Sequence, residues 1–326
     1  GLISTNQFTQ RSELILETLS QIQVCNNELP NIVYNTRNAE MVNYANQPVQ
    51  SGIGWNGIDV GRLLIWLRIW EIKFPCFADK IQHIVHRWNM NRVVLNNELH
   101  SIQNLDNQEG YYQVGRLGFE QYAARGFALW GYDVKKALSF DDKISYIDIE
   151  GIKIPFDKRD LSNSGASNYV LSDSYILEGL ETGWSSLSTM HAYAVYMAQE
   201  RFFQRTKKPR IVSTAHLIGK PWFTYNSMYA NGHTWVCIGT DGEFYPQTPT
   251  VNTAMVFGWH YLYGTDFTSS MLEKVKSLFD KEKGWFEGFF ENNGSTNLSI
   301  TCATNGLILE SLLFHKQGKF LTELNN

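Results

Sequence analysis

The stretch that decides the fold is GWNGIDVGRLLIWLRIWEIKFP, residues 54–75. Within 57–74 it carries Leu63, Leu64, Trp66, Leu67, Ile69 and Trp70, so apolar residues fall on nearly every side of a helix with period 3.6. A helix of that kind is buried on most of its surface. Pro75 ends it, having no amide hydrogen to donate and a fixed φ. Outward from this segment the chain reads as helix after helix. Residues 11–24 place Leu14, Ile15, Leu19 and Ile22 at helical spacing, and 77–88 form a more polar helix. Further helices are expected over 117–137, 185–205, 253–263, 268–280 and 305–315, the last capped by Thr304. Residues 268–280 are amphipathic, with Met271, Leu272, Val275, Leu278 and Phe279 in one stripe.

Near-all-apolar helices alternating with amphipathic ones fit two concentric layers. The expected fold is mainly α: an α/α toroid, an incomplete or full six-hairpin barrel, with small β-hairpin insertions. A helical bundle is the alternative, but the connections are long for one. One hairpin is expected over 144–154, where apolar and polar residues alternate, and a second over 234–245, around Asp241-Gly242. Gly-Trp recurs at Gly54-Trp55, Gly183-Trp184, Gly258-Trp259 and Gly284-Trp285, each in or beside a helix entry or loop. No Pro- or Ser-rich linker divides the chain, so residues 1–326 are expected to form a single domain. The chain opens at Gly1 rather than Met, and part of the natural N-terminus is expected to be missing.

Lys and Arg number 28 and Asp and Glu 32, a net charge of −4, which gives no electrostatic reason to expect nucleic acid or an anionic membrane as partner. No run of about 18 uncharged apolar residues exists, so no membrane span is expected. Aromatic residues are abundant, with 10 Trp, 16 Tyr and 19 Phe; they can fill a core or line a groove for ligands with flat apolar faces, such as sugar rings. Cys25, Cys76, Cys237 and Cys302 show no C-x-x-C spacing and no paired His, so they read as buried structural thiols without zinc. His83 and His86 share a helix face with no third ligand near in sequence, so neither metal nor cofactor is expected.

There is no G-x-S-x-G elbow, P-loop or G-x-G-x-x-G. What remains is a set of carboxylates in aromatic, Gly-rich surroundings. Asp59 and Glu120 stand at helix starts, Glu178 and Glu181 lie in Leu-Glu-Gly-Leu-Glu, Glu287 and Glu291 follow Gly284-Trp285, and Asp157 and Asp160 flank Lys158-Arg159. Glycoside hydrolysis needs one carboxyl kept protonated as acid and one ionised as base or nucleophile. An apolar pocket raises the first by desolvation. Each acid also has a plain structural role open to it: favourable charge in a first helical turn, or pairing with a buried Arg.

These residues resemble the bacterial domain-of-unknown-function family 3131. The matching segments include Leu29-Pro30-Asn31, Tyr34-Asn35-Thr36, Gly54-Trp55 through Asp59-Val60-Gly61-Arg62-Leu63-Leu64, and Gly115-Arg116-Leu117-Gly118-Phe119-Glu120-Gln121-Tyr122. They continue with Leu177-Glu178-Gly179-Leu180-Glu181, Ala198-Gln199-Glu200-Arg201, Pro221-Trp222-Phe223-Thr224-Tyr225-Asn226, Gly284-Trp285-Phe286-Glu287-Gly288 and Ala303-Thr304-Asn305. The resemblance implies a glucoamylase-like or glucanase-like α/α toroid, a glycan substrate and an extracytoplasmic place, periplasmic or secreted. Glu120-Gln121-Tyr122 is also similar to the helix-start motif that carries the acid in family-8 glycoside hydrolases.

The expected function is that of a glycoside hydrolase or transglycosylase acting on a bacterial envelope or secreted polysaccharide. Glu120 is the expected general acid and Asp59 or Glu181 its partner. Glu178, Glu287 and Glu291 would bind sugar hydroxyls or a water, Arg62 and Arg116 would position carboxylates or substrate, and Trp55, Tyr122, Trp184, Trp222 and Trp285 would stack on sugar rings. The alternatives are a non-catalytic carbohydrate-binding or polysaccharide-export module, and a polysaccharide lyase.

Overall fold

The computed structural model describes residues 3–105 and 108–321. They form eleven α-helices and several small sheets, with helices the largest share of the regular structure among the described residues. The chain gathers into two compact units, Gly1–Gly115 with Phe119–Ser139, and Arg116–Gly118 with Phe140–Asn326.

The first unit holds α1 (Thr5–Gln21), α2 (Gly57–Lys73), α3 (Ala78–Arg87), α4 (Phe119–Ala128) and α5 (Lys135–Leu138). Ser4 and Gln7 close a capping box on α1, and the Asn56 side chain caps α2 by accepting from the Ile58 N–H. The buried residues of α2 include Val60, Leu64, Ile65, Leu67 and Ile69; of these Val60, Leu64 and Leu67 pack in one core with Trp55, Ile81, Ile102 and Phe127.

Helices α2 and α4 run parallel and touch backbone to backbone. A Cβ on Gly126 would stand 2.0 Å from the Gly61 carbonyl oxygen, and one on Gly61 would stand 2.5 Å from that of Ala123. One turn further on, Trp130 Nε1 donates to the Leu64 carbonyl at 3.0 Å. No rotamer relieves a backbone clash, so Gly126→Ala must push the helices apart. We expect a loss of about 1–3 kcal/mol, read as a lowered denaturant midpoint with unchanged slope.

The second unit holds α6 (Leu161–Ser164), α7 (Asp173–Glu181), α8 (Ser186–Thr206), α9 (Thr253–Tyr263), α10 (Asp266–Val275) and α11 (Cys302–Gln317). Every residue of α7 is buried. Gly258 of α9 lies against Ile176 of α7, and Tyr261 of α9 packs on His315 of α11 at 4.7 Å between rings. With the starts of these three helices also meeting, α7, α9 and α11 run parallel. Antiparallel strands Ser213–His216, Phe223–Ala230 and His233–Gly239 form a sheet beside them.

The helices expected over 57–74, 185–205 and 253–263 form within two residues of their expected ends, and the hairpin expected over 144–154 forms as Ile144–Ile149 with Ile152–Asp157, three residues longer. Other expectations change. The helix over 117–137 is broken into α4 and α5 by a turn with Gly131 at φ 84°. Helix α11 starts three residues early, because Thr301 rather than Thr304 accepts the capping N–H. The strand His233–Gly239 pairs chiefly with Phe223–Ala230 across Asn231-Gly232, whose φ values of 48° and 88° suit a tight hairpin turn. Asp241-Gly242 closes only an isolated bridge from Ile238 to Phe244. Of the cysteines, Cys25 and Cys237 are buried as expected, but Cys76 and Cys302 are exposed. No helix among the described residues is long and apolar enough to cross a membrane.

Candidate active site

In the first unit, Asp59 occupies the first turn of α2 and lines a cavity of about 470 Å³ with Asn56, Val60 and Leu63 of the same helix. Its side chain reaches solvent, yet protein surrounds it closely enough that desolvation raises its carboxyl above the ordinary aspartate range; the Arg62 guanidinium opposes the rise. Two exposed phenols stand near, Tyr44 (74% exposed) and Tyr112 (43%). Both are pushed up, first by desolvation and further by the negative charge of Asp59.

Glu120 lies in the first turn of the parallel helix α4, fully buried, and accepts from Gln113 Nε2 at 3.2 Å. Gly115, at φ 97°, passes between the two helix starts: a Cβ there would stand 2.8 Å from Glu120 Cβ and 2.9 Å from Ile58 Cδ1. The close approach needs glycine on both counts, position and φ. Glu120 is thereby held beside the turn of α2 that carries Asp59.

In the second unit, the starts of α7, α9 and α11 meet around Glu287. Its Oε1 accepts from the His216 N–H at 3.0 Å and from Asn252 Nδ2, at the cap of α9, at 3.0 Å. Its Oε2 accepts from Thr304 Oγ1, in the first turn of α11, at 2.5 Å. Asp173, at the start of α7, accepts from Thr214 Oγ1 at 2.5 Å and from the Thr214 N–H at 3.2 Å. Burial outweighs those donors and, with the charge of Glu287 adding to it, raises Asp173 to about 6. The folded state therefore holds a proton that the unfolded chain releases near pH 4, so this group makes stability fall as pH rises from about 4 to about 6. In urea titrations across that range, Asp173→Asn should flatten the fall relative to wild type.

The remaining candidates divide by packing. Trp55 pairs with Ile102 in a sheet and is fully buried in the core, so it offers no face to a ligand. Tyr122 is buried likewise. Trp184 stacks on Tyr263 at 5.7 Å and donates its indole N–H to the Tyr175 carbonyl. Trp285 packs on Phe257 and Phe279. Of the five rings expected to stack on sugar, Trp222 alone is largely exposed, at 58%. Arg116 is buried and donates to Ser164 Oγ at 2.7 Å. Glu178 and Glu181 are buried within α7.

Glu291 is not available to sugar hydroxyls. It accepts from Arg210 Nε at 2.8 Å and Asn226 Nδ2 at 2.7 Å, while Arg210 lies over the rings of Phe202 and Trp235. The sequence reading missed Tyr44, Tyr112, Asp173, His216 and Asn252. Of these, Asp173 had the same signal as Asp59, an acid at a helix start, but α7 itself was not read as a helix.

The sequence pattern of the family described as "Protein of unknown function (DUF3131)" matches residues 1–318. No curated protein matches the chain. Among solved structures, a candidate glucoamylase from Bacteroides caccae superposes with a TM-score of 0.62 at 10% identity, over 98% of this chain and 79% of that one. A second candidate glucoamylase, from Bacteroides fragilis, gives 0.61 at 12% identity, over 98% and 78%. At such identities the likeness is one of fold. With the family pattern running through both units and nearly the whole chain, the protein belongs to the DUF3131 family.

Proposed function

We propose that the protein is a glycoside hydrolase acting on a neutral bacterial envelope or secreted polysaccharide, with Asp59 as general acid and Glu120 as the second carboxyl. The observation that carries this reading is Asp59: a carboxyl in a first helical turn, open to a cavity, favoured in its protonated form and flanked by two exposed tyrosines. A proton donor to a glycosidic oxygen must hold its proton to higher pH than an ordinary carboxyl and must reach the substrate; desolvation moves Asp59 in that direction, and its side chain is open to solvent. This exchanges the roles expected from sequence, because Glu120 is fully buried while Asp59 reaches solvent. Tyr44 and Tyr112 supply ring faces for sugars.

The overall architecture in this reading is an α/α toroid. Supporting it are parallel helices whose starts carry the acids in each unit, and the likeness to two candidate glucoamylases over 98% of the chain. An extracytoplasmic place follows from the same reading.

The test is release of reducing ends from a panel of neutral glucans. Release by the wild-type chain supports hydrolysis. Glycan binding without release overturns it in favour of a binding module. An ultraviolet-absorbing unsaturated product from a uronate polymer overturns it in favour of a lyase.

A further inference from the structure

The surface of the cavity beside Asp59 is mostly apolar, with Thr18, Asn35 and Thr36 among the polar residues in its lining. Leu19 and Ile22 close it from the end of α1, Pro30 and Ile32 from the segment that follows, and Val60 and Leu63 from α2. At about 470 Å³ it has the size of a small-molecule site. Sugar rings are gripped by aromatic faces and fans of free donors and acceptors, and this cavity offers few of either. The one ring in its wall, Tyr34, donates its hydroxyl to the Gln23 carbonyl at 2.6 Å and accepts from the Asn31 N–H at 2.8 Å. The Asn31 amide is spent on the Val33 and Val42 carbonyls, and its oxygen accepts from the Ile53 N–H. The Asn56 oxygen caps α2.

Those bonds also pin the wall. Asn31 ties together three stretches of the 30–53 segment, and Gly52, at φ 79°, sits so close that a Cβ would stand 2.8 Å from the Asn31 oxygen. The space is built into the fold.

Asp59 is shared between this cavity and the tyrosines. It lines the cavity, whereas Tyr44 and Tyr112, close to the same carboxyl, do not. A linkage held at Asp59 therefore lies at the mouth of a mostly apolar cavity, with the two tyrosines close to the same carboxyl. We infer that the substrate is a glycan bearing an acyl or alkyl chain next to the bond that is cleaved, and that this cavity is the subsite for the chain. The inference rests on the hydrolase reading and names its substrate class.

The experiment is calorimetric titration of the full chain with alkyl glucosides from methyl to octyl, in both anomers, below their micelle concentrations. Burial of each added methylene should tighten binding by about fourfold until the cavity is filled. Leu63→Gln and Ile32→Gln should flatten that series, and Asp59→Asn should leave its slope in place. Because the series on the wild-type chain needs no variant, a misfolded variant does not spare the inference: affinity independent of chain length overturns it. The two readings fail separately. Chain-length-dependent binding with no hydrolysis of any glycoside or glucan leaves the subsite standing and removes the hydrolase. Glucan hydrolysis that depends on Asp59 but shows no chain-length effect removes the subsite and leaves the hydrolase.

Discussion

Asp59→Asn is expected to lower kcat on a susceptible glycan by about a thousandfold, within the 10²–10⁴ that general acid catalysis contributes, with KM nearly unchanged. The amide keeps the size of the carboxyl but has no acidic proton to give. The same structure predicts that the variant folds at least as stably as wild type at neutral pH. Desolvation raises the folded-state carboxyl above its unfolded value, so the ionised form is penalised in the fold at every pH above that raised value. The amide removes the penalty. Activity lost together with stability gained is the mark of a group strained for function, whereas a carboxylate serving only as a helix-start anchor would lose stability when neutralised. The pH profile gives a second readout. An acid that must be protonated sets the alkaline limb of kcat/KM, so that limb should fall above the ordinary aspartate range and should be absent from the residual activity of the variant. A variant with full turnover would remove Asp59 from the chemistry.

What could be read from the sequence depended on how far each signal reaches along the chain. Helix α2 was legible because a long apolar run of seventeen residues ends at Pro75. Helix α7 was not: Asp173–Glu181 is only nine residues long, too few turns for a period to register. The many two- and three-residue strands, such as Gly54–Trp55 and Gly288–Phe290, are too short for alternation to register. Trp55 shows a limit of a different kind. A Gly-Trp pair before a helix fits a groove as well as a core, and only its pairing with Ile102, nearly fifty residues away, decides for the core. The acids follow the same rule. Asp59 and Glu120 were found from position at a helix start, which is local. Glu291 could not be separated from a substrate ligand until Arg210, lying over the rings of Phe202 and Trp235, was placed beside it.

Glu287 is the residue where structure and electrostatics are joined most tightly, and Glu287→Ala should cost about 4 kcal/mol. Three donors converge on its carboxylate from three elements: the His216 backbone N–H, the Asn252 amide at the cap of α9 and the Thr304 hydroxyl in α11. Alanine leaves them facing a void, and each buried donor without an acceptor costs about 1–3 kcal/mol, partly recovered where water can enter beside the half-exposed His216. Glu287→Gln distinguishes packing from charge. Its amide oxygen still accepts from His216 and Asn252, and its NH₂ can donate to the Thr304 hydroxyl, so it should cost only about 1 kcal/mol. The charge, however, is gone, and Asp173 should register it. The negative charge of Glu287 is one cause that holds Asp173 up at about 6; without it, the value moves back toward 3.8. The stability that wild type loses between about pH 4 and pH 6 should then be lost to a smaller extent in Glu287→Gln, and a double variant with Asp173→Asn should be no flatter than Asp173→Asn alone. Equal pH slopes in wild type and Glu287→Gln would mean that the two carboxyls do not sense each other, and that the convergence of α7, α9 and α11 at this point is a matter of hydrogen bonding alone.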